Sequence, residues 1–273
     1  MIAFITIHYK DKSEFEQFVL KEKMFTSKFI KKDLNSENFK YPLEAKYQCM
    51  TYKIDEYKGY LYGNIRLFYF EEKGIKYTSF FGHSNLCESI DLLSLHTTQI
   101  ESTTISRITV VFNVFMPISG DYMIKNNIIM HKLLGYNHNL SEDFKKGVKI
   151  FEYHNYKLCV FSAMKKGKIK KDLLTVKLDF KTSAELRKIG LNNIKDLKDK
   201  SKLKDLFDIF LKRLNEFTII DSIENWDVFS KIDGQQLITY MNPRFWDNLL
   251  IRSKGIPNIE LKRILKESKK PTN

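Results

Sequence analysis

Apolar and polar residues alternate along several stretches of the first 180 residues, which is the pattern of half-buried β-strands. The clearest alternation runs from Leu174 to Phe180. Aromatic and β-branched residues, which favour strands, recur throughout this part of the chain. The pattern predicts strands at 2–9, 47–54, 59–71, 74–82, 104–116, 148–153, 156–164 and 172–180. This strand count fits a curved sheet built from two halves of β-α-β-β type.

Helical spacing of apolar residues predicts helices at 12–20, about 87–96, 120–134 and 183–189. The hydroxyls of Thr182 and Ser183 suit the N-terminal cap of the last of these, and Gly135 suits the C-terminal cap of the third. Apolar residues between Leu197 and Leu214 then form one helical stripe, while lysines cover the other faces. We interpret this stripe as core packing.

The pattern changes again in residues 217–273, which predict short helices separated by turns. Pro243 suits the first turn of one helix, and a second helix is predicted at 258–267 after the Gly255 turn. The last six residues, 268–273, read as a basic tail. We therefore predict an α+β core at 1–216 and a small helical C-terminal module at 217–273.

Positive charge is the main feature of the composition. The chain has 46 basic and 33 acidic residues and a net charge of +13. A field of this size attracts polyanions, and nucleic acid is the commonest polyanion in the cytoplasm. An AT-rich genome, which enriches a protein in lysine, is the alternative explanation. Five lysines between two predicted strands predict a basic loop that holds phosphates, or else a solvated turn: Lys165, Lys166, Lys168, Lys170 and Lys171.

Several function classes lose support from the sequence. No apolar run approaches the ~20 residues that cross a bilayer. The first nine residues lack a secretory signal pattern, so we predict a cytoplasmic protein. Three cysteines without a CxxC pair argue against a disulfide framework. The phosphate-loop, dinucleotide-binding, nucleophile-elbow and HExxH motifs do not occur.

Four segments resemble, in the same order, segments of the replication initiators of filamentous phages and related plasmids, the gene two and gene X protein family. The family patterns are an apolar pair with a turn and an asparagine, "RIDxxxN", a strand "LRxELxLKS" leading into "xELKKLGI", and "xPRTFYxxRxxLxxxGI". The matching segments of this chain are 80–86, 107–113, 173–191 and 242–256. Together they span roughly residues 60 to 260.

The resemblance implies an α+β fold with a curved antiparallel sheet and helices on one face. It also implies rolling-circle initiation, in which a tyrosine attacks one DNA strand, stays attached to the 5′ phosphate and frees a 3′ hydroxyl. A divalent metal, Mg²⁺ or Mn²⁺, would polarise the phosphate. The implied partners are single-stranded or origin DNA and a host helicase, with no membrane.

The expected nucleophile of the pattern "IYxK" falls on Phe151, so its role cannot be transferred directly. Tyr153 or Tyr156 would replace it, with Lys157 neutralising phosphate charge. In a regular strand Tyr153 shares the face of Phe151 and Tyr156 does not, so Tyr153 is preferred. A purely structural role for either tyrosine is the alternative.

The metal site of the family is also altered. The acidic position of "RIDxxxN" is Thr109, and a hydroxyl is a poorer ligand for a hard cation than a carboxylate. His83, Glu101 and Glu152 are the remaining candidate ligands near the matching segments. A hydrogen-bonded structural histidine is the alternative for His83.

Five further residues are candidates for contact with DNA. Arg107 and Asn113 match the family pattern and are expected either to orient DNA or to brace the sheet. Arg244 and Arg252 lie on or beside a short C-terminal helix that would dock on a duplex. Trp246 would stack on bases or anchor the small module.

Three hypotheses follow from these observations. The first is a DNA-binding replication initiator of a phage or plasmid, which if active would be a metal-dependent tyrosine endonuclease and strand transferase. The second is an inactive DNA-binding protein on the same scaffold, which Phe151 and Thr109 motivate. The third is a structural protein of a mobile element that does not bind DNA.

Overall fold

The computed structural model describes residues 2–32, 39–76, 80–132, 148–162, 173–219, 227, 229–242, 245–246, 249 and 255–267. The strands are β1 Ile2–Tyr9, β2 Ser27–Lys32, β3 Phe39–Tyr47, β4 Met50–Ile54, β5 Gly59–Gly63, β6 Thr104–Phe115, β7 Ile128–His131, β8 Val148–Glu152, β9 Tyr156–Ser162, β10 Leu173–Phe180 and β11 Phe217–Ile219. The helices are α1 Lys12–Lys21, α2 Ile65–Lys73, α3 His83–Leu95, α4 Gly120–Tyr122, α5 Ser183–Lys188, α6 Lys200–Leu214, α7 Lys231–Met241 and α8 Gly255–Glu267. Within these ranges, no helix is both long and apolar enough to span a membrane.

Nine strands form one antiparallel sheet in the order β2-β3-β4-β5-β1-β6-β10-β9-β8. The two remaining described strands, β7 and β11, pair with each other. The predicted α+β class with a large antiparallel sheet is confirmed. The strands predicted at 2–9, 104–116 and 172–180 are present within about one residue of their predicted ends.

Two predicted elements end early, and a different kind of element follows within the predicted range. The strand predicted at 59–71 ends at Gly63, because the Asn64 side chain caps α2 by accepting a hydrogen bond from Leu67 N at 3.0 Å. The helix predicted at 120–134 gives way at Ile128, where β7 begins. Residues 128–131 pair with β11, so tertiary pairing overrides the local helical pattern.

The strand predicted at 47–54 has different bounds, and the described residues of the segment predicted as a strand at 74–82 form no strand. The strand predicted at 47–54 is a hairpin of β3 and β4, which turns at Gln48 with a φ of 51°. The segment predicted as a strand at 74–82 leads from the end of α2 to the start of α3 at His83, and its residues 77–79 lie outside the described part.

The chain folds into two compact units. The first consists of Met1–Val111, His154–Tyr156 and Leu178–Phe210. Its core lies between the sheet and α1, α2 and α3, where alternate strand residues such as Ile5 and Ile7 are fully buried. Phe15 of α1 stacks on Tyr9, with ring centroids 3.8 Å apart. Each such buried side chain contributes about 1.5–3 kcal/mol.

The second unit consists of Phe112–Tyr153, Lys157–Lys177 and Leu211–Asn273. Its core contains Met130, Leu237, Tyr240, Trp246, Leu261 and Ile264. Trp246 is fully buried, and its Nε1 donates to Tyr240 O at 2.6 Å. The division of the chain after residue 216 stays a prediction about domains.

Candidate functional site

The predicted catalytic residues lie at the β8–β9 hairpin. Tyr153 follows β8 and is half-buried, whereas Tyr156 begins β9 and is 4% exposed. Phe151, at the position of the family tyrosine, is 1% exposed. Lys157 lies opposite Glu152 in the hairpin register. Of the two candidate nucleophiles, Tyr153 is therefore the more accessible.

A histidine that the sequence did not single out contacts Tyr153. The Tyr153 hydroxyl lies 2.5 Å from Nδ1 of His131 and 2.8 Å from the backbone oxygen of the same residue. The other ring nitrogen, Nε2, lies 2.9 Å from Arg213 O. A carbonyl oxygen only accepts, so Nε2 carries the proton of the neutral ring and Nδ1 is an acceptor. The single phenol proton of Tyr153 is directed either to Nδ1 or to His131 O.

Local structure explains why these residues meet. The β7–β11 register places His131 opposite Phe217, and Lys132 N donates to Glu216 O at 3.2 Å. Helix α6 ends just before this point, so Arg213 lies in its last turn. The His131 ring thus donates to a carbonyl group in the last turn of α6, which also accepts from Glu216 N at 3.3 Å.

One carboxylate and several basic groups surround the His131 ring. Glu216 accepts from Arg213 Nη1 at 3.1 Å and lies 3.3 Å from Lys132 Nζ and 3.6 Å from His131 Nε2. Burial lowers the pKa of His131 below its usual 6.5, the Arg213 carbonyl and Glu216 oppose this, and Lys132 and Arg213 add to it. His131 is therefore neutral at pH 7, and Lys132 and Arg213 both form ion pairs with Glu216.

The side chains of Arg107 and Asn113, both on β6, form hydrogen bonds with residues of the neighbouring strand β10. Arg107 Nε donates to Asp179 Oδ1 at 2.7 Å, and its Nη2 donates to Asp179 Oδ2. Thr109 Oγ1 donates to the same Oδ1 at 3.1 Å, and Asn113 Oδ1 accepts from Thr175 Oγ1 at 2.8 Å. These contacts support the bracing alternative for both residues.

The side chain of Asp179 was missed by the sequence reasoning. It lies on β10 and accepts a hydrogen bond from Thr109 of the adjacent strand β6. Its signal in the sequence was an acidic residue between two apolar ones, Leu178 and Phe180, at the end of a predicted strand. Bonding to Asp179 raises the pKa of Arg107, which is charged at any working pH.

The predicted metal ligands do not form a ligand set. His83 Nε2 lies 2.9 Å from Lys198 O, and Glu101 forms an ion pair with Lys195. Glu152 is exposed at the β8–β9 hairpin. Within the described ranges, no three His, Cys, Asp or Glu side chains are placed to hold a metal ion together. We therefore assign no chemical step to a metal.

The remaining residues predicted to contact DNA are either buried or outside the described part of the chain. Trp246 is 0% exposed, so its indole ring cannot stack on a base in this conformation, and its anchoring role within the second unit is supported. The other candidates lie outside the described residues: Lys165, Lys166, Lys168, Lys170, Lys171, Arg244 and Arg252.

Comparisons of the chain with protein-family models, with curated proteins and with solved structures found no match. The resemblance to the phage and plasmid initiators thus stays a prediction. The local chemistry of the described residues carries the proposals that follow.

Proposed function

We propose that this protein binds DNA and cleaves one strand through Tyr153, in the manner of the rolling-circle initiators that its sequence resembles. One observation carries the proposal: the Tyr153 hydroxyl lies 2.5 Å from a buried histidine nitrogen that can accept its proton. An ordinary phenol has a pKa of ~10 and is a poor nucleophile at neutral pH. A general base within hydrogen-bond reach accelerates such steps by about 10²–10⁴-fold.

In the proposed step, the phenolic oxygen of Tyr153 forms a bond to the phosphorus of a phosphodiester. The bond from phosphorus to the 3′ oxygen breaks, and the 5′ phosphate stays attached to Tyr153. The phenol proton moves to Nδ1 of His131, and the departing oxygen takes up a proton to become a 3′ hydroxyl. That hydroxyl can then prime synthesis.

The charges around Tyr153 support binding of a phosphate. Lys132 Nζ lies 5.8 Å from the centroid of the Tyr153 ring, and Lys132 and Arg213 both contact Glu216. A phosphodiester carries one negative charge, which these basic side chains would attract. The attraction to DNA should weaken as salt is added.

A second candidate function is DNA binding without cleavage. It is favoured by the 2.8 Å hydrogen bond from the Tyr153 hydroxyl to His131 O. Together with the bond between the His131 ring and Arg213 O, this is the arrangement that a purely structural brace would require. In that case the phenol fixes β7 against the hairpin rather than attacking a phosphate.

The test is to incubate the purified protein with labelled single-stranded DNA of its own replicon, with Mg²⁺, with Mn²⁺ and with a chelator. We expect a covalent protein–DNA band on a denaturing gel. Tyr153→Phe should abolish the band, His131→Gln should slow its formation about 10²–10⁴-fold, and Tyr122→Phe, at a tyrosine 57% exposed on α4, should leave it unchanged.

Other outcomes select other hypotheses. A band abolished by Tyr156→Phe instead would move the nucleophile to that residue. Salt-sensitive binding without any band would support the second candidate. Neither binding nor a band would overturn both and leave a structural protein that does not bind DNA.

A further inference from the structure

In the described part of the first compact unit, α1 and α2 pack against the face of the sheet that holds Ile5 and Ile7. Residues that alternate with the buried ones in β1, β4 and β5 point to the opposite face and are half-exposed. We call six side chains from β1, β3, β4 and β5 on this face the sheet platform: Phe4, His8, Lys46, Lys53, Tyr60 and Tyr62.

Strand register arranges the platform in rows. Lys53, Tyr60 and His8 lie opposite one another in β4, β5 and β1. Lys46 and Tyr62 belong to the next row, on either side of Thr51. Residues two apart in a strand share a face about 6.8 Å apart, so Tyr60 and Tyr62 are separate ring surfaces.

The aromatic rings form two contacting pairs. The His8 and Tyr60 centroids are 4.4 Å apart, and the Phe4 and Tyr62 centroids are 6.2 Å apart. At the outer strand β2, Phe29 lies opposite Glu44 and is 58% exposed. Aromatic faces that remain in contact with water are the surfaces on which unpaired bases stack.

The charges on this face suit a polyanion. Lys46 is exposed, Lys53 lies 3.3 Å from Glu44, and Arg107, which is 47% exposed, covers the buried Asp179. The carboxylates of Glu44 and Asp179 are thus each paired with a cation. Helices α1, α2 and α3 carry the acidic residues Glu14, Glu16, Glu71, Glu72, Glu88 and Asp91 and the basic residues Lys12, Lys21, Arg66 and Lys73.

An ionised carboxylate, that of Asp55, lies at the edge of the platform near Lys58. Asp55, at the end of β4, accepts hydrogen bonds from Tyr57 N at 2.8 Å and Lys58 N at 2.6 Å. These bonds lower the pKa of Asp55 against the opposing effect of its burial, so it stays ionised and engaged by the turn. Lys58 is exposed at the same turn.

We propose that the sheet platform binds single-stranded DNA, with bases stacked on Tyr60, Tyr62 and Phe4 and phosphates held by Lys46 and Lys53. Duplex DNA fits poorly, because its bases are already stacked inside and cannot lie on aromatic rings. This inference rests on the proposed function for its ligand class, and it needs no chemical step at Tyr153.

The test is fluorescence anisotropy with a labelled oligonucleotide of about 12 thymidines, a length within the usual site size. Tyr62→Ala should weaken binding about tenfold, and Tyr62→Phe, which keeps the ring, should bind like the wild type. Tyr57→Ala is the matched control, since Tyr57 is 80% exposed in the β4–β5 turn and lies outside the platform. Lys46→Gln should reduce the slope of log affinity against log salt by about 0.7.

Thermal unfolding of each variant shows whether Tyr62→Ala keeps its fold, and the Phe variant isolates the ring from the hydroxyl. If the wild type binds the oligonucleotide but Tyr62→Ala binds equally well, the platform is overturned while the covalent-band assay still decides the proposed function. Tighter binding of duplex, or self-association that depends on Tyr62, would also overturn it. Absence of all DNA binding would overturn both proposals.

Discussion

Removal of Arg107 should destabilise the protein more than removal of the charge on its partner, Asp179. The Asp179 side chain is 3% exposed, and its carboxylate accepts two bonds from Arg107 and one from Thr109. Arg107→Ala leaves a buried carboxylate with one donor. Breaking a buried ion pair in this way costs about 3–5 kcal/mol of unfolding free energy.

The exposure of Arg107 sets the size of the effect. Its side chain is 47% exposed, so water can approach the carboxylate once the guanidinium is gone, and we expect about 3 kcal/mol. Asp179→Asn keeps the shape and strands no buried charge, because Arg107 already faces water. It should cost about 1.5 kcal/mol, the value of a hydrogen bond to a charged group. In the double variant the stranded charge is absent, so the two costs should not add.

The assay is urea unfolding at pH 7 followed by circular dichroism. With a slope of about 3 kcal/mol per molar urea, Arg107→Ala should lower the midpoint by about 1 M at an unchanged slope. Arg187→Ala is the control, since Arg187 is exposed on α5 and should change stability by less than about 0.5 kcal/mol. The reasoning is refuted if Asp179→Asn proves more damaging than Arg107→Ala, or if both match the control.

Two further predictions concern the second unit. Burial lowers the pKa of His131, so near and below pH 6.5 the unfolded chain binds more protons than the folded protein. The free energy of unfolding of the wild type should therefore fall as the pH drops from 7.5 to 5.5. Relative to His131→Gln, the fall should be at most about 1.4 kcal/mol per pH unit. Urea midpoints of both proteins across this range measure it, and parallel curves would contradict it. Trp246→Ala should lower the free energy of unfolding by about 3–5 kcal/mol, since the ring is fully buried, whereas Trp246→Phe should lower it less. Equal melting temperatures of the two variants would contradict this prediction.

The elements that sequence reasoning found are those whose local pattern agrees with their environment. The strand at 2–9 was predicted correctly because its apolar residues Ile5, Ile7 and Tyr9 alternate with less buried ones in β1. Thr182 stands at the predicted N-cap of α5, although its hydroxyl makes no capping hydrogen bond. The error at 59–71 came from Phe68, Tyr69 and Phe70, which suit a strand by propensity but fill the core from α2. Asn64 was the available signal, because an asparagine before an apolar run can begin a helix.

The candidate site was harder to predict because its contacts join distant parts of the chain. Tyr153 was preferred for its strand face, but its histidine partner lay inside a segment predicted as a helix, 120–134. Asp179 and Arg107 are 72 positions apart, and no local periodicity links them. Alternation reports burial of one element at a time, so pairing between elements is invisible to it.

The two proposals divide binding and cleavage between different side chains. The sheet platform is made of residues of the first unit, and the Tyr153 cluster is made of residues of the second. Because the two sets share no residue, a platform substitution such as Tyr62→Ala should change the affinity for single strands. His131→Gln should instead change the rate at which bound DNA becomes covalently attached. If both substitutions altered only affinity, the phenol–imidazole contact would be a brace, and the protein would be the binder of the second candidate function.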